Sequence, residues 1–150
     1  MEKRKSKNEK KPKRGLLYKS SSLGELYFCA LYKINSIWKA GEISSSAANK
    51  IYESTGILVD KYKICLTSGS LRHFLSRHFD EKAPDQRGIH FDDLFEIENV
   101  INNFTSVEIG NTGLRLLFKK KYPNKELLYL VMEINKAKKI LAGVSFWIKT

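Results

Sequence analysis

The residues able to do chemistry fall in two places along the chain. The segment LRHFLSRH sets His73 and His78 beside Arg72 and Arg77. Imidazoles exchange protons near neutral pH, and guanidiniums bind phosphate through planar forks, so the grouping suits phosphodiester chemistry. At about 100° per residue on a helix, His73 and Arg77 lie about 40° apart. His78 is about 140° from His73 and sits with Phe74 and Leu75, on the side expected to face a sheet. A histidine on an apolar helix face also has an ordinary use as a satisfied core residue. The two arginines are what favour proton transfer here. His90 stands alone in a loop and carries no such company.

The second place is the set of strands at the end of the chain. Side chains alternate along a strand. Ser145 and Trp147 therefore share a face with Lys149, Arg115 with Leu117 and Lys119, and Tyr129 with Leu127, Val131 and Glu133. Arg115, Lys119, Tyr129, Ser145 and Trp147 together make a cationic surface with aromatic platforms, which suits single-stranded RNA or DNA. A plain solvated sheet face is the competing reading. The alternate residues, Leu114, Leu116, Phe118, Leu128, Leu130, Met132, Ile134 and then Ile140, Ala142, Val144, Phe146 and Ile148, read as core.

Positioning these groups requires an α+β fold. Leu23, Leu26, Tyr27, Ala30, Leu31, Ile34 and Trp38 recur at three- and four-residue steps, predicting a helix after a Ser-rich cap that ends near Gly41. A second helix is expected from the Ser44–Ser46 cluster to a stop at Gly56. A strand follows at about residues 61–67, then a helix capped by Ser68 or Ser70 that carries the histidines. EKAPDQRGIH reads as a polar loop, and FDDLFEIENVINNF as a helix whose Asp92 and Asp93 suit the positive end of its dipole. Four strands close the chain. The expected architecture is N-terminal helices packed on one face of a four-stranded antiparallel β-meander.

The 150 residues allow one globular domain over residues 15–150 and exclude a large multidomain enzyme. The net charge is +11, and residues 1–14 hold eight basic and two acidic side chains. They form a tail that reads as a solvated disordered arm or as a nucleic-acid contact. The remaining 136 residues are still basic, with 19 cationic and 14 anionic side chains, so a polyanionic partner is favoured throughout. Cys29 and Cys65 lie in apolar stretches without CxxC or Cys/His spacing and read as small buried hydrophobes, so no metal and no cofactor is expected. No apolar window reaches the ~18 residues of a membrane span, and the chain reads as soluble, without a signal peptide or a membrane partner.

Thr55-Gly56-Ile57, His73 with Arg77-His78, Arg87-Gly88 and Asp92-Asp93-Leu94, followed by the closing VSFWIKT, resemble the phage-associated branch of the barnase, EndoU, colicin and RelE-like ribonuclease superfamily. The likeness covers about residues 47–150. It implies helices packed on one face of an antiparallel sheet with RNA on the other. Arg77-His78 and Ser145-Phe146-Trp147 resemble pairs of the tRNA-cleaving colicin branch. A barnase-like glutamate base is not evident, and Glu133 qualifies only by its face. The resemblance implies a metal-independent endoribonuclease that acts in the cytoplasm, delivered from a phage or within a larger secreted polypeptide, with an antitoxin or immunity protein as inhibitor. In this reading His78 is base or acid, His73 its partner, and Arg77, Arg115 and Lys119 stabilise charge. Ser145 binds the phosphate, Arg72 and Tyr129 contact the substrate, and Trp147 stacks a base. The alternatives are a non-catalytic nucleic-acid-binding module and an adaptor with an exposed apolar patch on the N-terminal helices.

Overall fold

A computed structural model describes residues 18–78 and 86–150, with the side chains of Ser76, Arg77 and His78 outside the described set. The basic tail and the first half of the polar loop, residues 81–85, also lie outside it. In chain order the elements are β1 (Tyr18–Ser20), α1 (Leu23–Leu31), β2 (Ser36–Glu42), α2 (Ser45–Thr55), β3 (Lys63–Thr67), α3 (Ser68–His78) and β4 (Gln86–Arg87). A 3-10 turn (Phe91–Glu96), α4 (Ile97–Asn102), β5 (Ser106–Ile109), β6 (Arg115–Lys121), β7 (Leu127–Asn135) and β8 (Ile140–Lys149) follow.

The fold class is α+β, but the expected four-stranded meander is corrected to a mixed eight-stranded sheet of order β1-β2-β3-β8-β7-β6-β5, with β4 added beside β8. β5 to β8 are antiparallel, whereas β3 runs parallel to β8 and β1 parallel to β2. The helices are not an N-terminal block either. They interleave with the strands and bury one face of the sheet through residues such as Leu26, Ile51, Leu71, Phe74 and Val100.

The first helix is shorter than predicted. It stops at Leu31, and Ile34 and Trp38 lie beyond it, because Lys33 turns into left-handed backbone (φ 56°) and the N–H of Ile34 donates back to the Cys29 carbonyl. Ser36 then starts a strand, its N–H donating to the Ser68 hydroxyl, which itself donates to the Ile34 carbonyl. That use of Ser68 leaves the capping of α3 to Thr67, whose hydroxyl accepts from the Ser70 N–H at 3.1 Å. α2 follows its reading, with Ser44 accepting from the Ala47 N–H and Gly56 closing the helix at φ 77°.

β8 corrects the face assignment. Met132 pairs with Gly143 but Val131 pairs with Ser145, so Val144 is an extra, bulged residue and the alternation inverts upstream of it. Leu141 and Gly143 face the core in place of Ile140, Ala142 and Val144, while Phe146 and Ile148 stay buried as expected. Leu116, Phe118, Leu128, Leu130, Met132 and Ile134 also occupy the core, but Leu114 is exposed before β6 begins.

Candidate nucleic-acid interface

The open sheet face gathers five of the expected residues. Lys119, Tyr129 and Trp147 are consecutive partners across β6, β7 and β8. The Tyr129 and Trp147 rings stack with centroids 5.1 Å apart and planes 3° from parallel. Lys119 Nζ lies 5.6 Å and Lys149 Nζ 5.3 Å from the Tyr129 centroid, so two cations flank one aromatic platform. In-register pairing in an antiparallel sheet brings such side chains together without help from a loop.

Beside this platform, Gly110, Asn111, Arg115, Leu117, Val131, Val144, Ser145 and Trp147 line a groove of about 260 Å³. The bulge at Val144 sets Ser145 opposite Val131 and aims it into the groove's lining. Gly110 lets the β5–β6 turn approach closely, since a Cβ there would lie 3.1 Å from Arg115 Cβ. Arg115 Nε is buried without a hydrogen-bond acceptor, and Glu133 Oε2 stands 3.8 Å away, an ion-pair distance beyond hydrogen-bond reach. Lys119 has Glu108 at a similar 3.9 Å. A buried donor with no acceptor is costly.

The helix-borne residues lie elsewhere. α3 packs on the core side of β8, with the Phe74 and Phe146 ring centroids 5.9 Å apart. Phe146 separates Ser145 from Trp147 in sequence, so α3 and the groove meet opposite faces of one strand. Arg72 donates to the Ala30 carbonyl at 3.3 Å and belongs to the helix layer, as does the half-buried His73, whose ring centroid is 6.4 Å from that of Phe74. The backbone places Arg77 and His78 at the end of α3, and their side chains are outside the described residues. β3 pairs with β8 only as far as Ala142, and β4 only at Ile148 and Lys149. Among the described residues, Gly143 to Trp147 therefore have no strand partner on that side.

Sequence reasoning missed Gly110 and Asn111 as groove residues, although a Gly-Asn turn entering a cationic strand was visible. It also missed that two of the quoted motifs are joined. Arg87 binds Asp93 at 2.9 and 3.0 Å and Glu126 at 2.6 and 3.2 Å, tying β4 to the 3-10 turn and to the β6–β7 connection. Asp93 also accepts from the His90 N–H at 2.7 Å. Burial alone would raise the Asp93 pKa, but Arg87 and that N–H bring it below the ordinary value. Arg87 likewise lowers Glu126, and the two carboxylates raise Arg87. Cys29 and Cys65 are free and buried. No described helix is long and apolar enough to cross a membrane. Among the described residues, no three His, Cys, Asp or Glu side chains converge as metal ligands.

The family model described as phage-Barnase-EndoU-ColicinE5/D-RelE like nuclease3 matches residues 39–150. No curated protein and no solved structure matches the chain.

Proposed function

The chain belongs to this phage-Barnase-EndoU-ColicinE5/D-RelE like nuclease family, and we propose that it is a metal-independent endoribonuclease. The observation that carries the reading is the open sheet face. A stacked Tyr129–Trp147 pair flanked by Lys119 and Lys149 adjoins an Arg115 Nε that lacks an acceptor. Single-stranded RNA offers base faces for the rings and phosphate oxygens for the cations.

In the proposed reaction a base removes the 2′-hydroxyl proton and the resulting oxygen attacks the adjacent phosphorus. The bond from phosphorus to the 5′-oxygen breaks, an acid protonates that oxygen, and a 2′,3′-cyclic phosphate remains. His78 and His73 are the proton-transfer groups, with Arg77, Arg115 and Lys119 stabilising the phosphorane charge. Ser145 donates to a phosphate oxygen, Trp147 stacks a base, and Tyr129 extends the contact, while Arg72 stays with the helix layer. Uncontrolled RNA cleavage harms a cell, so the proposal includes a toxin or effector role in the cytoplasm, delivery from a phage or a larger polypeptide, and a protein inhibitor.

One observation favours a second reading, a nucleic-acid-binding module without catalysis. None of the described strand residues on the open face is a histidine, and cations with aromatics suffice for binding. The deciding experiment incubates the purified protein with total RNA, tRNA included, in excess EDTA. Discrete fragments with 2′,3′-cyclic phosphate ends, lost in His78→Ala and Ser145→Ala, support the nuclease. Intact RNA that is nonetheless retarded on a native gel supports the binding module.

A further inference from the structure

At the end of the sheet remote from Lys149, five lysines converge. Lys61 and Lys63 enter β3, and Lys136, Lys138 and Lys139 form the turn between β7 and β8. The two segments are bonded to each other through the Lys63 N–H and the Lys139 carbonyl at 3.0 Å, and Lys63 pairs with Ile140. All five side chains are exposed, and none has an ion-pair partner among the described residues. The nearby acids are Asp60 in the chain and Glu42 opposite Lys63, and Glu42 already stands 4.0 Å from Lys39. Lys61 and Lys139 occupy left-handed backbone, at φ 61° and 54°, where glycine or asparagine would sit without cost.

The patch adjoins the start of β8, the strand that carries Ser145 and Trp147 farther along. Lys63 faces the open side of the sheet, since its neighbour Ile64 is in the core, and so does Ile140. From Lys139 to Trp147 is eight steps along β8, about 26 Å at ~3.3 Å per residue. A dinucleotide in the groove cannot reach the lysines. The stem of a folded RNA is long enough to cover the distance.

We infer that this lysine cluster is a second phosphate-binding patch that holds the body of a structured RNA, while the groove takes a short unpaired segment. The inference rests on the ribonuclease reading and narrows it to folded RNA rather than short oligonucleotides. The patch works by charge, so it contributes affinity and registration without reading sequence.

The test compares wild type with a Lys63→Gln, Lys136→Gln, Lys138→Gln triple variant, which avoids the left-handed positions. Binding to a hairpin RNA of roughly 20 nucleotides and to a single-stranded tetranucleotide is measured across a salt series. The expected result is a slope of log affinity against log salt shallower by about 2 to 3 for the hairpin, with an unchanged slope for the tetranucleotide. An unchanged hairpin slope overturns the inference, and so does an equal loss on both RNAs. Loss of binding only to an acidic protein or to anionic vesicles assigns the patch to another partner and also overturns it. Cleavage is scored separately. Wild type that binds with the expected slopes but leaves RNA intact sinks the nuclease reading and leaves the patch, whereas normal cleavage with unchanged slopes does the reverse.

Discussion

Trp147 and Tyr129 hold each other face to face, so each ring is both a platform and the support of the other. Trp147→Ala should weaken binding of a fluorescent single-stranded RNA by about 5- to 150-fold, the ~1–3 kcal/mol of one stacked base. Fluorescence anisotropy measures it, and Trp147→Phe should recover part of the loss. His78→Ala should abolish cleavage while leaving that anisotropy curve unchanged; a variant that still cleaves at the wild-type rate removes His78 from the chemistry. At this scale the sequence was informative for a simple reason. Ser145 and Trp147 are two residues apart on the stretch downstream of the bulge, so alternation places them correctly. The acceptor-free state of Arg115 Nε was not legible, because it depends on Glu133 reaching only to 3.8 Å across the strand pair.

The elements that hold this face depend on two contacts. Gly143 lies in the core beneath α3, where a Cβ would meet Leu66 Cδ2 at 2.6 Å and Phe74 Cζ at 3.2 Å. Gly143→Ala should cost about 1–3 kcal/mol by overpacking and lower the thermal midpoint. The second contact is the Arg87 clamp, whose side chains are all less than a third exposed. Removing the guanidinium strands two carboxylates, and Arg87→Ala should destabilise by about 1–3 kcal/mol, below the range of a fully buried pair. Asp93 and Glu126 have folded-state pKa values below their ordinary ones. Their stabilisation is therefore complete above the unfolded values of ~4 and is lost as pH falls through the folded ones. The gap between wild type and Arg87→Ala should stay constant above about pH 5 and narrow below about pH 4, read as thermal midpoint against pH. A constant gap down to pH 3 would show that the stability comes from packing rather than from charge. The residues of this clamp were visible as RG and DD motifs, but their union with Glu126 joins positions 39 residues apart. The helix α1 was overextended for a related reason. Ile34 and Trp38 fit a helical period, but pairing with β3 turned the segment into a strand.

For the whole molecule, the net charge of +11 and the three cations of the open face give one further prediction. With three phosphate contacts, affinity for single-stranded RNA should fall about 20-fold between 50 and 200 mM salt. A salt-independent affinity would mean that the face is not an electrostatic footprint. The sequence by itself determined the α+β class, most strand and helix positions in the second half, and the cationic aromatic composition of one sheet face. These follow from local periodicity, turn residues and charge, which act over a few neighbours. Tertiary structure alone decided that the sheet has eight strands, since β1 and β4 are too short to declare themselves and are strands only through their partners. It decided the bulge at Val144, because an extra residue is defined only against the strand opposite. It also decided that the histidine helix and the groove lie on opposite faces of β8, because that arrangement depends on how segments distant in the chain pack on the strand.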